Sequence, residues 1–238
     1  MRPTLMLLPG LMCDAAAWAP QITALQAQAH CVVPDYGLRD SLNAMARQVL
    51  AEAPTERFSV AGHSMGGRVA LEVWRLAPQR VERLALLDTG AQPLPAGEEG
   101  ERERAGRMAL LTQARAEGMR AMARQWARNM VHPDQRDTPL FEALLDLLER
   151  SSPEQFAAQI NALLTRPDAT HLLRTITCPT LVLCGREDLW SPPAQHVRMR
   201  EAIAGADLCI IEHCGHMCTL EQPQAVSKAL AAWLAHLI

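Results

Sequence analysis

Several features that mark common functional classes are missing from this 238-residue sequence. No apolar run approaches the ~20 residues that a helix needs to cross a bilayer. The glycines form neither a G-x-G-x-x-G fingerprint nor a Walker loop, so we expect no nucleotide site and no cofactor. A net charge of −3 gives no electrostatic reason to expect a nucleic-acid partner. With 49% hydrophobic and 21% charged residues, the composition is that of an ordinary soluble globular protein.

The seven cysteines form an odd and scattered set, which is not typical of a disulfide framework. Four of them lie in apolar, strand-like runs, so we predict reduced, buried thiols in a cytoplasmic protein. The first residues, MRPTLMLLPGLM, are too short for a signal peptide followed by a mature strand. His213, Cys214, His216 and Cys218 are close in sequence, but structural zinc sites usually take ligand pairs from two segments. We therefore expect no metal site.

Short apolar segments alternate with segments of helical periodicity. We predict strands over residues 4–10, 30–35, 57–62, 83–90, 179–185 and 207–212. We predict helices over residues 15–28, 41–53, 65–76, 194–204 and 222–237. The strands are continuously apolar, which is typical of strands covered on both faces. The pattern predicts an α/β fold with a mostly parallel central sheet flanked by helices.

Residues 91–174 interrupt this alternation. The segment opens with a proline- and glycine-containing loop and contains no convincing strand. Thr138 precedes a helical run as a predicted N-cap, and Ser152 with Gln155 has the spacing of a capping box. We therefore predict a core formed by residues 1–90 and 175–238, with a helical cap formed by residues 91–174.

Residues 62–66, GHSMG, match the G-x-S-x-G pattern of a nucleophile elbow. A predicted strand precedes the motif and a predicted helix follows it, as such an elbow requires. Ser64 would then have a positive φ, and the glycines on either side would avoid collisions across the corner. The N–H of Met65, at the helix N-terminus, would face a developing oxyanion. The motif alone leaves an ordinary glycine-rich connection as the alternative.

A nucleophilic serine needs a base, and the base needs an orienting acid. Asp188 follows the strand over 179–185, and His216 follows the strand over 207–212. An open parallel sheet brings such strand ends together. The chain order Ser64, Asp188, His216 matches one particular fold. Glu187 and Asp88 remain alternative acids.

With these residues, the sequence resembles the α/β-hydrolase superfamily over nearly its whole length. The segments CPTLVLCGREDLWSPP and CGHMCTLEQP are similar to the esterase, enol-lactonase and menaquinone-pathway branch. The resemblance implies Ser64 as nucleophile, His216 as general base and then acid, and Asp188 as the residue that fixes the histidine tautomer. It also leads us to expect that the usual leading β-hairpin is absent.

The second oxyanion donor of the family comes from the loop after the first strand. The family usually has His-Gly there, and this chain has Pro9-Gly10-Leu11. Leu11 matches the donor position, and Met12 is the alternative because proline replaces the usual histidine. We therefore predict an oxyanion hole formed by the N–H groups of Met65 and Leu11.

Five residues are candidate substrate contacts: Arg68, Trp190, Met12, Trp126 and Arg124. Arg68 lies one helical turn after Ser64, where it would meet a substrate carboxylate. The alternative is a surface ion pair, either of Arg68 with Glu72 or of Glu72 with Arg75. Arg124 belongs to a row of arginines spaced four residues apart, which is either a solvated helix face or a clamp for an anionic substrate.

The sequence therefore predicts a cofactor-free serine hydrolase of small carboxylic esters or lactones. Three alternatives use the same fold. They are a lyase or C–C hydrolase of anionic substrates, a cofactor-free perhydrolase, and a non-catalytic ligand sensor. We expect a small-molecule substrate, no nucleic acid and no membrane span. Oligomeric state is left open.

Overall fold

The computed structural model describes residues 2–235, and its centre is one six-stranded sheet. The strands are β1 (Thr4–Leu8), β2 (His30–Val32), β3 (Phe58–His63), β4 (Val81–Leu87), β5 (Thr180–Gly185) and β6 (Asp207–Ile211). They lie in the order β2-β1-β3-β4-β5-β6, and every neighbouring pair is parallel. The predicted α/β fold with a mostly parallel sheet is confirmed.

Both faces of the sheet are buried, as the unbroken apolar strands predicted. Successive side chains of a strand point to opposite faces. In β1, Leu5 and Leu7 therefore join one hydrophobic cluster, whereas Met6 and Leu8 join another. All four side chains are fully buried. The sheet thus separates two cores, and helices must cover each of them.

Ten α-helices surround the sheet within residues 2–235. They are α1 (Ala19–Leu25), α2 (Leu42–Glu52), α3 (Met65–Leu76), α4 (Glu98–Glu117), α5 (Met119–Trp126), α6 (Pro139–Glu149), α7 (Pro153–Leu164), α8 (Pro193–Ala202), α9 (Cys218–Glu221) and α10 (Pro223–Leu234). Helices α2 and α3 pack together over one face, and α1 packs against α10 over the other. The four helices α4 to α7 lie between β4 and β5 in the chain, and we call them the inserted helices.

Apart from the last helix, three predicted segments differ from the structure by at least three residues at one end, and proline accounts for two of these differences. The predicted helix over 15–28 is a 3₁₀ turn, Ala15–Trp18, followed by α1. Pro20 has no N–H to continue an α-helical ladder from that turn. Strand β2 ends at Val32 rather than at residue 35, since Pro34 cannot donate to a neighbouring strand. Strand β4 begins two residues earlier and ends three residues earlier than the predicted 83–90.

The predicted caps have different outcomes. Ser41 accepts a hydrogen bond from the N–H of Ala44, and Ser152 and Gln155 form a complete capping box. Thr138 occupies the N-cap position of α6 without bonding to the helix, because its hydroxyl donates backwards to the carbonyl of Gln135. Position alone therefore does not make a cap where a nearby acceptor competes.

The predicted last helix, over 222–237, is α10, and it ends at Leu234. The final residues of that prediction, 236 and 237, lie outside the described part of the chain. Among residues 2–235, no helix combines the length and the apolar character that crossing a membrane requires.

Candidate active site

Three side chains from separate loops meet at the carboxyl end of the sheet. Ser64 follows β3, Asp188 follows β5, and His216 lies in the loop after β6. Nε2 of His216 lies 2.8 Å from Oγ of Ser64, and its Nδ1 lies 2.8 Å from Oδ2 of Asp188. A carboxylate only accepts hydrogen bonds, so Nδ1 carries the proton and Nε2 is free to accept one from the serine hydroxyl. The structure brings the three predicted residues into one hydrogen-bonded chain.

Ser64 lies at a sharp corner between β3 and α3. Its φ is 54° and its ψ is −117°, a conformation costly for a residue with a Cβ. Glycine is required on both sides. A Cβ on Gly62 would lie 2.2 Å from the carbonyl oxygen of Gly66, and one on Gly66 would lie 2.1 Å from that of Leu8. The G-x-S-x-G spacing is thus a steric requirement of this corner.

The charges of the hydrogen-bonded chain stabilise one another. Burial opposes ionisation of Asp188, yet the neighbouring His216 and the N–H groups of Ser191 and Trp190 hold the pKa of Asp188 at about 2. Burial likewise disfavours the charged form of His216, but Asp188 raises the pKa of His216 above its usual value. Asp188 therefore remains ionised and supports a positive charge on His216 when the ring takes up a proton.

The two alternative acids have other partners. Glu187 accepts a hydrogen bond from the N–H of Cys214 and holds the histidine loop. Asp88 is fully buried and accepts from the N–H of Gly185, while burial and the charge of Asp188 raise the pKa of Asp88 well above its usual value. Asp188 is thus the carboxylate that bonds to the His216 ring.

Met65 and Leu11, whose N–H groups are the predicted oxyanion donors, both line the cavity that contains Ser64. Met65 is the first residue of α3, and its N–H has no acceptor within the helix. Leu11 follows Gly10, whose backbone lies so close that an added Cβ would be 3.3 Å from Cβ of Ser64. Met12, the alternative donor, gives its N–H to Oε1 of Gln159 at 2.8 Å. The Met12 N–H is therefore engaged elsewhere, and Leu11 stays the predicted donor of this loop.

Above Ser64 lies a cavity of about 410 Å³. An aromatic stack forms one wall: the rings of Trp190 and His216 lie 5.0 Å apart, and those of Trp190 and Trp126 lie 4.9 Å apart. Trp126 belongs to the inserted helices, and Trp190 belongs to the loop that carries Asp188. The stack therefore joins the inserted helices to the hydrogen-bonded chain, and both tryptophans line the cavity as predicted.

A family model described as Alpha/beta hydrolase family matches residues 5–229 of this chain. The chain belongs to the α/β hydrolase family.

Two curated relatives and one solved structure are similar over most of this α/β hydrolase. The putative carbamate hydrolase RutD of Pseudomonas syringae pv. syringae is 26% identical, over 98% of this chain and 94% of that protein. The 2-hydroxy-6-oxononadienedioate/2-hydroxy-6-oxononatrienedioate hydrolase of Klebsiella pneumoniae is 27% identical, over 84% of this chain and 70% of that protein. A thermophilic esterase from Thermogutta terrifontis, solved with malate bound, superposes with a TM-score of 0.88 at 28% identity, over 98% of this chain and 90% of that one.

The cavity of this α/β hydrolase has a strongly charged wall. Five charged residues form it, and we call them the arginine cluster: Arg68, Arg102, Glu103, Arg107 and Arg166. Glu103 receives two hydrogen bonds of 2.7 Å from Arg166 and one of 2.9 Å from Nε of Arg107. One carboxylate thus serves two guanidinium groups, and the cluster as a whole is positive.

Arg68 lines the cavity. Of the two alternative ion pairs, Arg68 with Glu72 and Glu72 with Arg75, the structure contains the second, at 2.9 Å. Arg68 donates to the carbonyl of Gln92, and no carboxylate within residues 2–235 lies at ion-pair distance from it. Burial, together with the nearby Arg166, lowers the pKa of Arg68 to about 9. Glu103 offsets this effect only in part, so the positive charge of Arg68 is incompletely compensated.

Two predicted substrate contacts were wrong. Arg124 is exposed and pairs with Glu142 at 2.9 Å on the outer surface of the inserted helices. Met12 lines a neighbouring cavity instead of the one above Ser64, because its N–H is held by Gln159. Neither residue lines the cavity that contains Ser64.

No local sequence signal indicates the four cluster residues other than Arg68, or Gln159. The four-residue spacing of Glu103 and Arg107 is common on solvated helices, so this spacing did not indicate a cavity wall. Glu221 was not predicted either; its buried carboxylate accepts from the N–H groups of His132, Gly215 and Met217. These bonds fix the loop that presents His216.

The histidine and cysteine side chains of residues 213–218 are not arranged as metal ligands. Within residues 2–235, no group of three or more histidine, cysteine, aspartate or glutamate side chains is arranged to hold a metal ion. His63, beside the nucleophile, makes a hydrogen bond of 2.7 Å between its Nε2 and the backbone carbonyl of His216. Burial lowers the pKa of His63 to about 4, so it donates to that carbonyl as a neutral ring.

Proposed function

We propose that this protein is a serine hydrolase that cleaves small carboxylic esters or lactones through an acyl-enzyme. The observation that carries this proposal is the hydrogen-bonded chain from Ser64 through His216 to Asp188, at the base of a cavity of about 410 Å³. The nucleophile, base and orienting acid of acyl transfer need this connectivity. Membership of the α/β hydrolase family supports it.

In the proposed reaction, Oγ of Ser64 attacks the substrate carbonyl while Nε2 of His216 takes the hydroxyl proton. The N–H groups of Met65 and Leu11 stabilise the resulting oxyanion, and one such donor typically contributes ~3 kcal/mol. His216 then protonates the leaving alcohol, and the C–O bond of the ester breaks. Water then attacks the acyl carbon while His216 takes one of its protons. The bond from that carbon to Oγ of Ser64 breaks, His216 returns the proton to Oγ, and the acid is released. No cofactor takes part in these steps.

We further propose that residues 91–174 act as a cap over a core of residues 1–90 and 175–238. Trp126 from this segment stacks on Trp190, which in turn contacts His216. Closing a site in this way excludes water and strengthens the electrostatic interactions inside it. Trp126 and Trp190 would then contact the acyl or leaving group.

The arginine cluster favours a substrate that carries a carboxylate of its own. Arg68 lies in the cavity without an anionic partner among residues 2–235, and a substrate carboxylate would compensate its charge. Two similar proteins are consistent with this: the Thermogutta terrifontis esterase was solved with malate, and the Klebsiella pneumoniae relative is named for a dioate. The same relative makes C–C bond hydrolysis of an anionic substrate the second candidate function.

The test is turnover of an ester panel that varies in acyl length and charge. Ser64→Ala should abolish turnover of every member, and a fluorophosphonate probe should label wild type but not the variant. The panel should also include a vinylogous 1,5-diketone acid, whose cleavage would favour the C–C candidate. Wild-type rates in Ser64→Ala would contradict the proposed mechanism, and absence of labelling at Ser64 would favour a ligand sensor.

A second test uses the pH dependence of kcat/KM. His216 must be neutral to accept a proton, so activity should fall as the pH drops through its raised pKa. Asp188→Asn removes the charge that raises this pKa, so the acidic limb should move to lower pH. The maximal rate should also fall, on the order of 10⁴-fold, because the tautomer is no longer fixed. An unmoved acidic limb would contradict the role of Asp188.

A further inference from the structure

One hydrogen bond ties the inserted helices to the loop that follows β1. The N–H of Met12 donates to Oε1 of Gln159, on α7, over a distance of 2.8 Å. Met12 is 3% exposed and Gln159 is 6% exposed, so water has little access to either partner. A backbone N–H can only donate, so the side-chain oxygen of Gln159, rather than its nitrogen, must face Met12.

The loop at this point has an unusual backbone. Met12 has a φ of 59°, in the left-handed region that residues with a Cβ rarely adopt. A turn closes around it, with the N–H of Cys13 bonded to the carbonyl of Gly10 at 3.1 Å. Such a conformation persists only where its surroundings impose it. The bond to Gln159 is the side-chain contact that holds the Met12 peptide in place.

The peptide N–H of Leu11 precedes that of Met12 by one residue, so the two orientations are linked. On the proposed function, Leu11 is the oxyanion donor. On that function, the bond between Met12 and Gln159 would keep the Leu11 N–H directed at the space beside Oγ of Ser64. If Gln159 released Met12, the turn would be free to rotate, and the buried Met12 N–H would need another acceptor.

We propose that Gln159 is a positioning residue of the oxyanion hole, through which the inserted helices set the geometry of the loop after β1. The oxyanion hole is then complete only when α7 packs against that loop. This inference rests on the proposed function, because it assumes that Ser64 generates an oxyanion beside Leu11. It means that stabilisation of the transition state depends on Gln159, a residue that does not contact the substrate.

The experiment compares variants with and without an acceptor at position 159. Gln159→Leu and Gln159→Ala remove the acceptor, whereas Gln159→Glu keeps an oxygen at the same distance along the side chain. Steady-state kinetics on a neutral ester should show kcat reduced at least tenfold in Gln159→Leu and Gln159→Ala, with KM within twofold of wild type. Gln159→Glu should recover most of the lost rate.

A boronic acid that adds to Ser64 provides a readout of the oxyanion hole itself. Its affinity should weaken in Gln159→Leu by about the same factor as kcat/KM, because both depend on the oxyanion donors. Gln155→Leu is the matched control, since it lies one turn away on α7 and removes the capping-box bond to Ser152 without touching Met12. It should lower the melting temperature while leaving kcat unchanged.

Three results would overturn the inference. One is an equal loss of kcat in Gln159→Glu and Gln159→Leu, and another is an equal loss in Gln155→Leu, since either would indicate general loosening of α7. The third is a KM effect with unchanged kcat. Failure of the proposed function is distinguishable, because it would appear as residual turnover in Ser64→Ala whatever residue stands at position 159.

Discussion

The arginines of the inserted helices contrast with those of the cavity. On the outer surface, Arg120 contacts three carboxylates and Arg124 contacts one, from residues of α6. In the cavity, Glu103 is shared between Arg107 and Arg166, and Arg68, which forms no ion pair within the described residues, donates to a backbone carbonyl. The surface arginines are therefore matched by acids, whereas the cavity arginines outnumber their carboxylate partner.

The pKa shifts of Arg120 and Arg68 have opposite signs. The hydrogen bonds that Arg120 donates to Glu149 and Asp146 raise the pKa of Arg120, whereas burial and a neighbouring arginine lower that of Arg68 to about 9. A lowered pKa means that the charged form is less favourable than it is in water. An anion bound beside Arg68 would reverse this effect, and such reversal is a source of binding energy that the surface pairs do not have.

Arg68→Ala should have the largest effect on this contrast. A hydrogen bond to a charged group is worth about 1.5–3 kcal/mol, so KM for a monoester of a dicarboxylic acid should rise roughly 10- to 100-fold. The corresponding diester, which lacks the carboxylate, should change little. The measurement is steady-state kinetics on the matched pair, with Arg68→Lys as the control that retains the charge. Equal changes for both esters would mean that Arg68 has only a structural role.

Glu103→Gln should have a smaller effect of opposite sign. Removing this carboxylate leaves Arg107 and Arg166 uncompensated, so the cavity becomes more positive. We expect KM for the monoester to fall roughly threefold and to become more dependent on salt, as long-range charge effects do. The melting temperature should fall because the ion pairs of Glu103 are lost. A raised KM for the monoester, with the diester unaffected, would show that the main effect of Glu103 is to position the arginines rather than to offset their positive charge.

Arg124→Ala should have the smallest effect. Its guanidinium faces solvent and pairs with Glu142, so KM for both esters should remain within twofold of wild type. Kinetics on the same monoester and diester check this directly. A selective loss of monoester binding would restore the clamp hypothesis for the outer arginines and remove the contrast between the two sets.

The core of the candidate site could be predicted because its signals are local. Ser64, Asp188 and His216 each follow an apolar strand within a few residues, and parallel strands end at the same edge of the sheet. The glycines around Ser64 are explained by collisions within a few residues of the same chain. Local sequence therefore contained most of what was needed to place these three residues together.

The parts that could not be predicted depend on contacts between distant segments. Arg68 and Arg166 meet at the carbonyl of Gln92, and nothing in the sequence near any of them indicates this contact. Gln159 reaches Met12 across 147 residues. In both cases the segment between β4 and β5 decides the outcome, because its placement over the sheet is set by packing. Sequence periodicity predicts that the helices of this segment form, but it does not predict where they pack on the sheet.

The positive φ of Ser64 has a consequence for the stability of the whole chain. A non-glycine residue held in such a conformation costs of order 1–3 kcal/mol, and a glycine at position 64 would relieve it. An inert chain with Ser64→Gly should therefore resist urea better than the native chain does. If stability alone were selected, glycine would be favoured over serine at position 64. At position 64, the residue that the proposed reaction requires is therefore one that lowers the stability of the fold.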